Sequence, residues 1–224
     1  MNVKKELFKC KNDKFRQFEA NLTPTIGIER IIGVKSPDTK RIAKELFLSN
    51  NYKSFINSVP HKYLEENLVH VHLINLLKDY DETLWAIKKL LPYMNSWMET
   101  DSIGSRTLEK NKDKLIVYIN SCLKSKKTYY IRLGIIFLKK YYLDESFSIE
   151  QMNKVAAIKH KDYYVKMMQA WYIADGLIKQ EKIFLDLLKK KKLDPFVQNK
   201  GIQKARESYR ISNKVKKELL KYKI

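Results

Sequence analysis

Apolar side chains recur along the chain at steps of three and four, broken by short polar stretches, and nearly every segment reads as helix. From Lys4 to Ala20, Leu7, Phe8, Phe15 and Phe18 sit among charges at helical spacing, and Asn21–Gly27 then interrupts the pattern. Ser36-Pro37-Asp38 predicts a helix start, with the serine as cap and the proline in the first turn, where its missing N–H costs nothing. The helix that follows places Ile42, Ala43, Leu46 and Phe47 on one face. A short helix is predicted over Tyr52–Asn57. A longer one over Tyr63–Lys78 carries Leu64, Leu68, Val71 and Ile74 on one side. Asp81 is the expected cap of a helix ending near Pro92. Further helices are predicted over Trp97–Ile103, Leu115–Leu123, Tyr129–Tyr142, Met152–Ile158, Tyr163–Ile178, Ile183–Leu188, Asp194 to about Tyr209, and Lys214–Tyr222. The segment from Tyr129 is apolar on most faces, the mark of a buried helix.

These elements form successive pairs, one roughly every 35 to 45 residues, the period of HEAT and armadillo arrays. An irregular helical bundle fits the same periodicity, because the pairs share no visible consensus. No polar linker divides the chain, so a single domain spanning 1–224 is expected. Only 6 Gly and 5 Pro in 224 residues suit long helices with short turns, and 44% hydrophobic content supplies a core.

Charge changes the picture more than composition does. Lys and Arg number 45 against 25 Asp and Glu, a formal net charge of +20. Such a chain attracts polyanions whatever its fold, although a lysine-rich composition alone would give the same count. The excess is concentrated: residues 182–224 hold 14 Lys and Arg against 4 Asp and Glu. There Lys200 and Lys204 are four apart, as are Asn199 and Gln203. These two ladders could face a phosphate backbone or merely a solvated surface. Lys35, Lys40, Arg41 and Lys44 cluster near another helix N-terminus, where phosphate is also favoured.

Much chemistry lacks its residues. There is no glycine-rich phosphate loop, no Gly-x-Ser-x-Gly turn and no zinc-ligand spacing, so neither a cofactor nor a metal is expected. Cys10 and Cys122 have no motif spacing, Met1–Glu6 lacks the apolar run of a signal peptide, and no segment is long and apolar enough to span a membrane. A reduced, cytoplasmic, monomeric protein is the expectation. What remains is carboxylates, aromatics and basic groups. Trp97 and Asp101, four apart, share a helix face, where an aromatic plane and a negative charge would suit a cationic base or a sugar developing positive charge. A core tryptophan beside an aspartate that caps the next helix is the ordinary alternative. Trp171 lies on a stripe with Met167, Ala174 and Ile178, either as core or at the mouth of a concave face.

Four segments in this order resemble the AlkD-like DNA alkylation repair family: Ile32-Gly33-Val34-Lys35-Ser36-Pro37, Trp97-x-x-x-Asp101, Ala170-Trp171, and Asn199-Lys200-Gly201-Ile202-Gln203-Lys204. The resemblance runs along nearly the whole chain. It implies an all-α, right-handed solenoid of HEAT-like antiparallel helix pairs with a basic concave surface that binds duplex DNA. It also implies excision of cationic N3- or N7-alkylated purines without base flipping. By motif, Asp101 would stabilise the positive sugar and position a water, and Trp97 and Trp171 would pack on the damaged nucleotide. Lys35, Arg41, Arg132, Lys200, Lys204 and Arg210 are the expected DNA contacts. One departure stands out. Where glycosylase members carry Trp-x-Arg-Arg, this chain has Tyr130-Ile131-Arg132-Leu133. A divergent branch that binds bent or branched DNA without excision is the alternative, and a protein–protein adaptor is a further one.

Overall fold

Fifteen α-helices and no strand make up the structure, a computed structural model describing residues 1–224. Contacts cluster into two units, Met1–Lys112 and Asp113–Ile224. The first contains α1 (Val3–Lys9), α2 (Asp13–Leu22), α3 (Ser36–Leu48), α4 (Tyr52–Asn57), α5 (Leu64–Leu76), α6 (Tyr80–Leu90), α7 (Trp97–Asp101) and α8 (Arg106–Lys110). The second contains α9 (Lys112–Leu123), α10 (Thr128–Tyr141), α11 (Ile149–Ala157), α12 (Tyr163–Lys179), α13 (Glu181–Lys189), α14 (Pro195–Glu207) and α15 (Asn213–Leu219).

In both units helices pack on their next-but-one neighbours. α3 lies against α5 and α5 against α7, while α4 meets α6 and α6 meets α8. In the second unit α12 is flanked by α10 and α14. Two layers of alternating helices are what a helical repeat requires, since one amphipathic pair cannot bury its apolar face alone. The repeat is also written in hydrogen bonds. Glu65 reaches back 33 residues to Ile32, Asn67 reaches forward 32 to Glu99, Thr128 pairs with Asp162 at 34, and Lys139 with Asp175 at 36. The physical period, 32 to 36 residues in these bonds, therefore straddles the short end of that expected from helix spacing.

Asp162 and Asp194 show how one residue type serves the repeat twice. In each, Oδ1 caps its own helix, accepting from the N–H of Tyr164 at 2.7 Å and of Phe196 at 3.0 Å. In each, Oδ2 binds the preceding helix of the layer: Asp162 accepts from Thr128 Oγ1 at 2.9 Å, and Asp194 from Lys166 Nζ at 2.9 Å. A side chain that satisfies orphan amides and also ties two helices sets both where α12 and α14 begin and how they register on their neighbours.

Several expected boundaries move. The Lys4–Ala20 pattern is two helices: the first closes at Cys10, whose N–H donates to the Leu7 carbonyl at 3.0 Å, and Asn12 caps the second, accepting from the Phe15 N–H at 2.8 Å. Ser36 is the first residue of α3 rather than its cap; Lys35 holds the cap position without a side-chain bond. Asp79, not Asp81, caps α6 through the Glu82 N–H at 2.8 Å. The pattern does not disclose α8, whose five residues bury only Leu108. α10 behaves as its sequence predicts, with every residue from Ile131 to Leu138 buried. No helix is long and apolar enough to cross a membrane.

Candidate nucleic-acid interface

Three acids in the first unit look alike in sequence and do different things. Glu65, on α5, is fully buried and accepts from three successive amides: Ile32 at 2.9 Å, Gly33 at 2.5 Å and Val34 at 3.2 Å. It thereby shapes the Ile32–Val34 loop that leads into α3. Gly33 sits at φ +88°, a left-handed conformation glycine adopts without strain, and a Cβ there would lie 2.4 Å from the Asn12 carbonyl oxygen. Glu19, buried on α2, hydrogen-bonds Glu65. Burial, the Glu65 charge and that bond push its carboxyl up to about 8, so it is protonated and donates at neutral pH. Glu99, on α7, accepts from the amides of Asn95 and Ser96 at 2.8 and 2.7 Å and from Asn67 Nδ2 at 2.5 Å. Burial pushes it up to about 7 against the pull of these donors. These contacts moor the short α7 to α5.

Asp101, at the end of that moored helix, is half-buried and accepts from Thr100 Oγ1 at 3.1 Å. It does not cap the next helix; Ser105 does, through the Thr107 N–H at 3.2 Å. Trp97 occupies the same face, half-buried, and its indole N–H donates to the Leu22 carbonyl at 3.0 Å, closing the end of α2. Its polar edge is thus committed to the fold, while part of its ring remains accessible. A depression of about 520 Å³ nearby is lined by Asn75, Lys78, Gly104, Arg106 and Lys110. Asn75 fixes its floor, donating to the Ser102 carbonyl and accepting from the Gly104 N–H, each at 2.9 Å.

In the second unit the structure brings three expected residues together. Trp171 on α12 is 40% exposed, and Lys204 of α14 sets its ammonium 5.2 Å from the indole centroid, within cation–π range. Gly201 permits this approach. A Cβ there would meet Ile173 Cγ2 at 3.2 Å, so α14 lies close on α12 one turn before Lys204. Trp171, Lys204 and Arg210 line one depression of about 300 Å³ with Asp175 and Ile178. Asp175 is held by Lys139 at 2.8 Å, and Lys204 also pairs with Glu207 at 2.8 Å.

The remaining expected contacts divide. Lys200 lines a separate depression of about 430 Å³ with Asn199, Arg206 and Lys223, its ammonium 2.9 Å from Gln203 Oε1. The amide ladder predicted beside it is committed internally: Asn199 exchanges two hydrogen bonds with Ile224, at 2.7 and 3.1 Å, and Gln203 donates to Glu207 at 2.9 Å. Lys35 stands exposed at the head of α3. Arg41 is exposed but flanked by Glu45 at 2.9 Å and Asp38 at 3.5 Å. Arg132 differs most from its expected role. Only 4% exposed, it donates to the Tyr164 carbonyl at 2.8 Å, in the seam between α10 and α12. No three His, Cys, Asp or Glu side chains come together as a metal site.

Glu65 and Glu99 are the residues sequence pattern passes over. The signal for Glu65 is an acid on a helix that is otherwise apolar on most faces, and for Glu99 it is the Ser96-x-x-Glu99 capping-box spacing, which the structure shows formed. No curated protein sequence matches the chain. The profile of the DNA alkylation repair enzyme family matches residues 17–162, a stretch that contains the Glu65-held loop, Trp97 and Asp101, and ends before Trp171 and the lysines of α14. With well over half its length in register with that profile, the chain belongs to the DNA alkylation repair enzyme family.

Proposed function

We propose that this protein is a DNA glycosylase that releases cationic N3- or N7-alkylated purines from duplex DNA without flipping the base, acting as a monomer in the cytoplasm. The observation that carries the reading is the Trp97–Asp101 face of α7. Its acid is placed by a buried scaffold and is not used to cap α8. A purine alkylated at N3 or N7 already carries positive charge. When its bond to C1′ breaks, the bonding pair neutralises the base and leaves positive charge on the sugar. Asp101 stabilises that charge and orients the water that adds at C1′; the proton lost from the water passes to Asp101 or solvent. No nucleophile or metal is required. The Trp171–Lys204–Arg210 depression supplies backbone contacts, two cations beside an exposed ring.

Release of N7-methylguanine from methylated duplex DNA tests the proposal, with Asp101→Asn expected to lower the rate by about a hundredfold or more, as loss of one preorganised electrostatic group does. No release above the uncatalysed rate would sink it. Asp101→Ala and Trp171→Ala should reduce excision more than binding, and Lys200→Ala with Lys204→Ala the reverse. The burial of Arg132, where active relatives are expected to present an Arg-Arg pair, favours a second reading, a binder of bent or branched DNA without excision. That reading predicts affinity falling steeply with salt and no released base.

A further inference from the structure

The turn joining α14 to α15 holds a feature the proposed excision chemistry does not use. Tyr209 is fully exposed, its entire ring in water. The turn itself is firmly built. The Ser208 N–H closes α14 on the Ala205 carbonyl at 3.1 Å, and the Arg210 N–H donates to Ser208 Oγ at 3.2 Å. Ile211 is buried, and Ser212 caps α15 through the Val215 N–H at 3.3 Å. A turn pinned on both sides of a solvated aromatic fixes the backbone from which that ring projects, and a tyrosine loses little rotamer freedom when it makes a contact.

The neighbours of Tyr209 indicate what the ring meets. Ser208 and Arg210, on either side of it in sequence, both line the Trp171 depression, and Lys204 lies over Trp171 in the same depression. Tyr209 is not itself in that lining, but it stands in the chain between two residues that are, one of them a cation, within a segment strongly enriched in Lys and Arg. Cations hold phosphates, and exposed aromatic rings stack on bases. Paired bases inside a duplex offer no free face. Only a nucleotide without a partner, as in a bulge, exposes one.

We infer that Tyr209 stacks on an unpaired nucleobase while Lys204 and Arg210 hold the adjacent phosphates, so that the protein prefers duplex DNA interrupted by an unpaired nucleotide. The inference rests on the DNA-binding reading above and adds a substrate feature to it. Stacking tolerates any base, so the preference is for the unpaired nucleotide itself rather than for a sequence.

The test compares the full chain on a plain duplex and on the same duplex carrying one bulged 2-aminopurine, by anisotropy and by 2-aminopurine fluorescence. The wild type should bind the bulged duplex about tenfold tighter, the scale of one stacked base, and quench its fluorescence. Tyr209→Ala should remove both the preference and the quench, leaving plain-duplex affinity within about twofold. Tyr209→Phe should keep both. A wild type without preference, or a Tyr209→Ala loss equal on both duplexes, overturns the inference while leaving DNA binding intact. Failure of the wild type to bind either duplex overturns DNA binding as well.

Discussion

Glu19→Gln should make the protein more stable in mild alkali and flatten its pH dependence. Glu19 is buried against Glu65, and its carboxyl titrates near 8 in the fold, against an ordinary 4.5. Between those values the native state holds a proton that the unfolded chain releases. Stability therefore falls as pH rises from about 4.5 to about 8, then levels off once both states are ionised. Each pH unit in that window corresponds to about 1.4 kcal/mol, less as pH nears the folded value, so the native state gives up roughly 2 kcal/mol between pH 6 and 8 through this one group. Glutamine fills the same space and can donate an N–H to Glu65 at any pH. Glu99 also titrates high, near 7, but is common to both proteins and cancels in the difference. Urea midpoints at pH 6, 7 and 8 would show the wild type falling relative to the variant by about 2 kcal/mol in all, or roughly 4 to 8 °C in melting temperature. Parallel pH curves would refute the reasoning: they would mean that Glu19 is ionised beside Glu65 and that water or a cation reaches the pair.

The same region and the buried histidines yield two further expectations. Gly33→Ala should cost about 2 to 4 kcal/mol in chemical denaturation, since it imposes a Cβ on a left-handed residue and on the Asn12 carbonyl; a loss under about 0.5 kcal/mol would show that the Glu65-held loop moves freely. His61, His70 and His72 are held down to about 4, 3 and 4 by burial, so the fold keeps them neutral while the unfolded chain takes up protons below about 6.5, and each withdraws stability as pH falls through that window. His72→Gln should recover about 2 kcal/mol of the loss between pH 6.5 and 5.0, read from urea midpoints, and no recovery would mean that His72 charges within the fold.

The hydrogen bonds of these histidines also fix their tautomers. The Ala86 carbonyl can only accept, so His70 Nε2, 3.2 Å away, carries a proton and His70 Nδ1 accepts from His61 Nε2 at 3.0 Å. Thr39 Oγ1 donates to the Ser36 carbonyl at 3.0 Å and so accepts from His72 Nε2 at 3.1 Å. His70 and His72, two apart on one helix, therefore serve different neighbours, α6 and α3. Their spacing predicts different sides; what pattern could not supply is that both sides of α5 are buried. The same limit explains the rest of the difference between sequence and structure. Periodicity reports where apolar faces lie, so the long helices α10, α12 and α14 are legible almost to their ends. It does not report a start made by a single side chain. Asn12 opens α2, and Asp79 rather than Asp81 opens α6, because a cap is chosen by loop geometry that neighbouring residues of the same type could equally satisfy. The candidate site was partly legible for the same reason. The Trp97–Asp101 spacing is a local fact. The burial of Arg132 depends on where Tyr164 lies, 32 residues away.

Charge obeys a different logic, which bears on how much of the surface can serve DNA. Arg41, Lys139, Lys166 and Lys179 each pair with a carboxylate, and Arg132 lies in a helix seam. Lysines and arginines are thus part of the repeat's own bracing, and a count of cations overstates the free ones. The net charge is not overstated, because every ion pair removes one charge of each sign and leaves the +20 excess intact. A lysine-rich composition accounts for an excess of that size, yet it gives no reason for the excess to gather in residues 182–224, or for one of its lysines to rest over an exposed tryptophan. Salt separates the two origins. A diffuse excess acts through long-range attraction that screening removes within about 10 Å at 0.1 M, without a defined number of released ions. A surface that seats phosphates gives a linear fall of log affinity with log salt, whose slope counts them at about 0.9 per contact. Lys200→Ala with Lys204→Ala should then lower that slope by close to two contacts. An unchanged slope in a folded variant would assign the lysines of α14 to composition rather than to recognition.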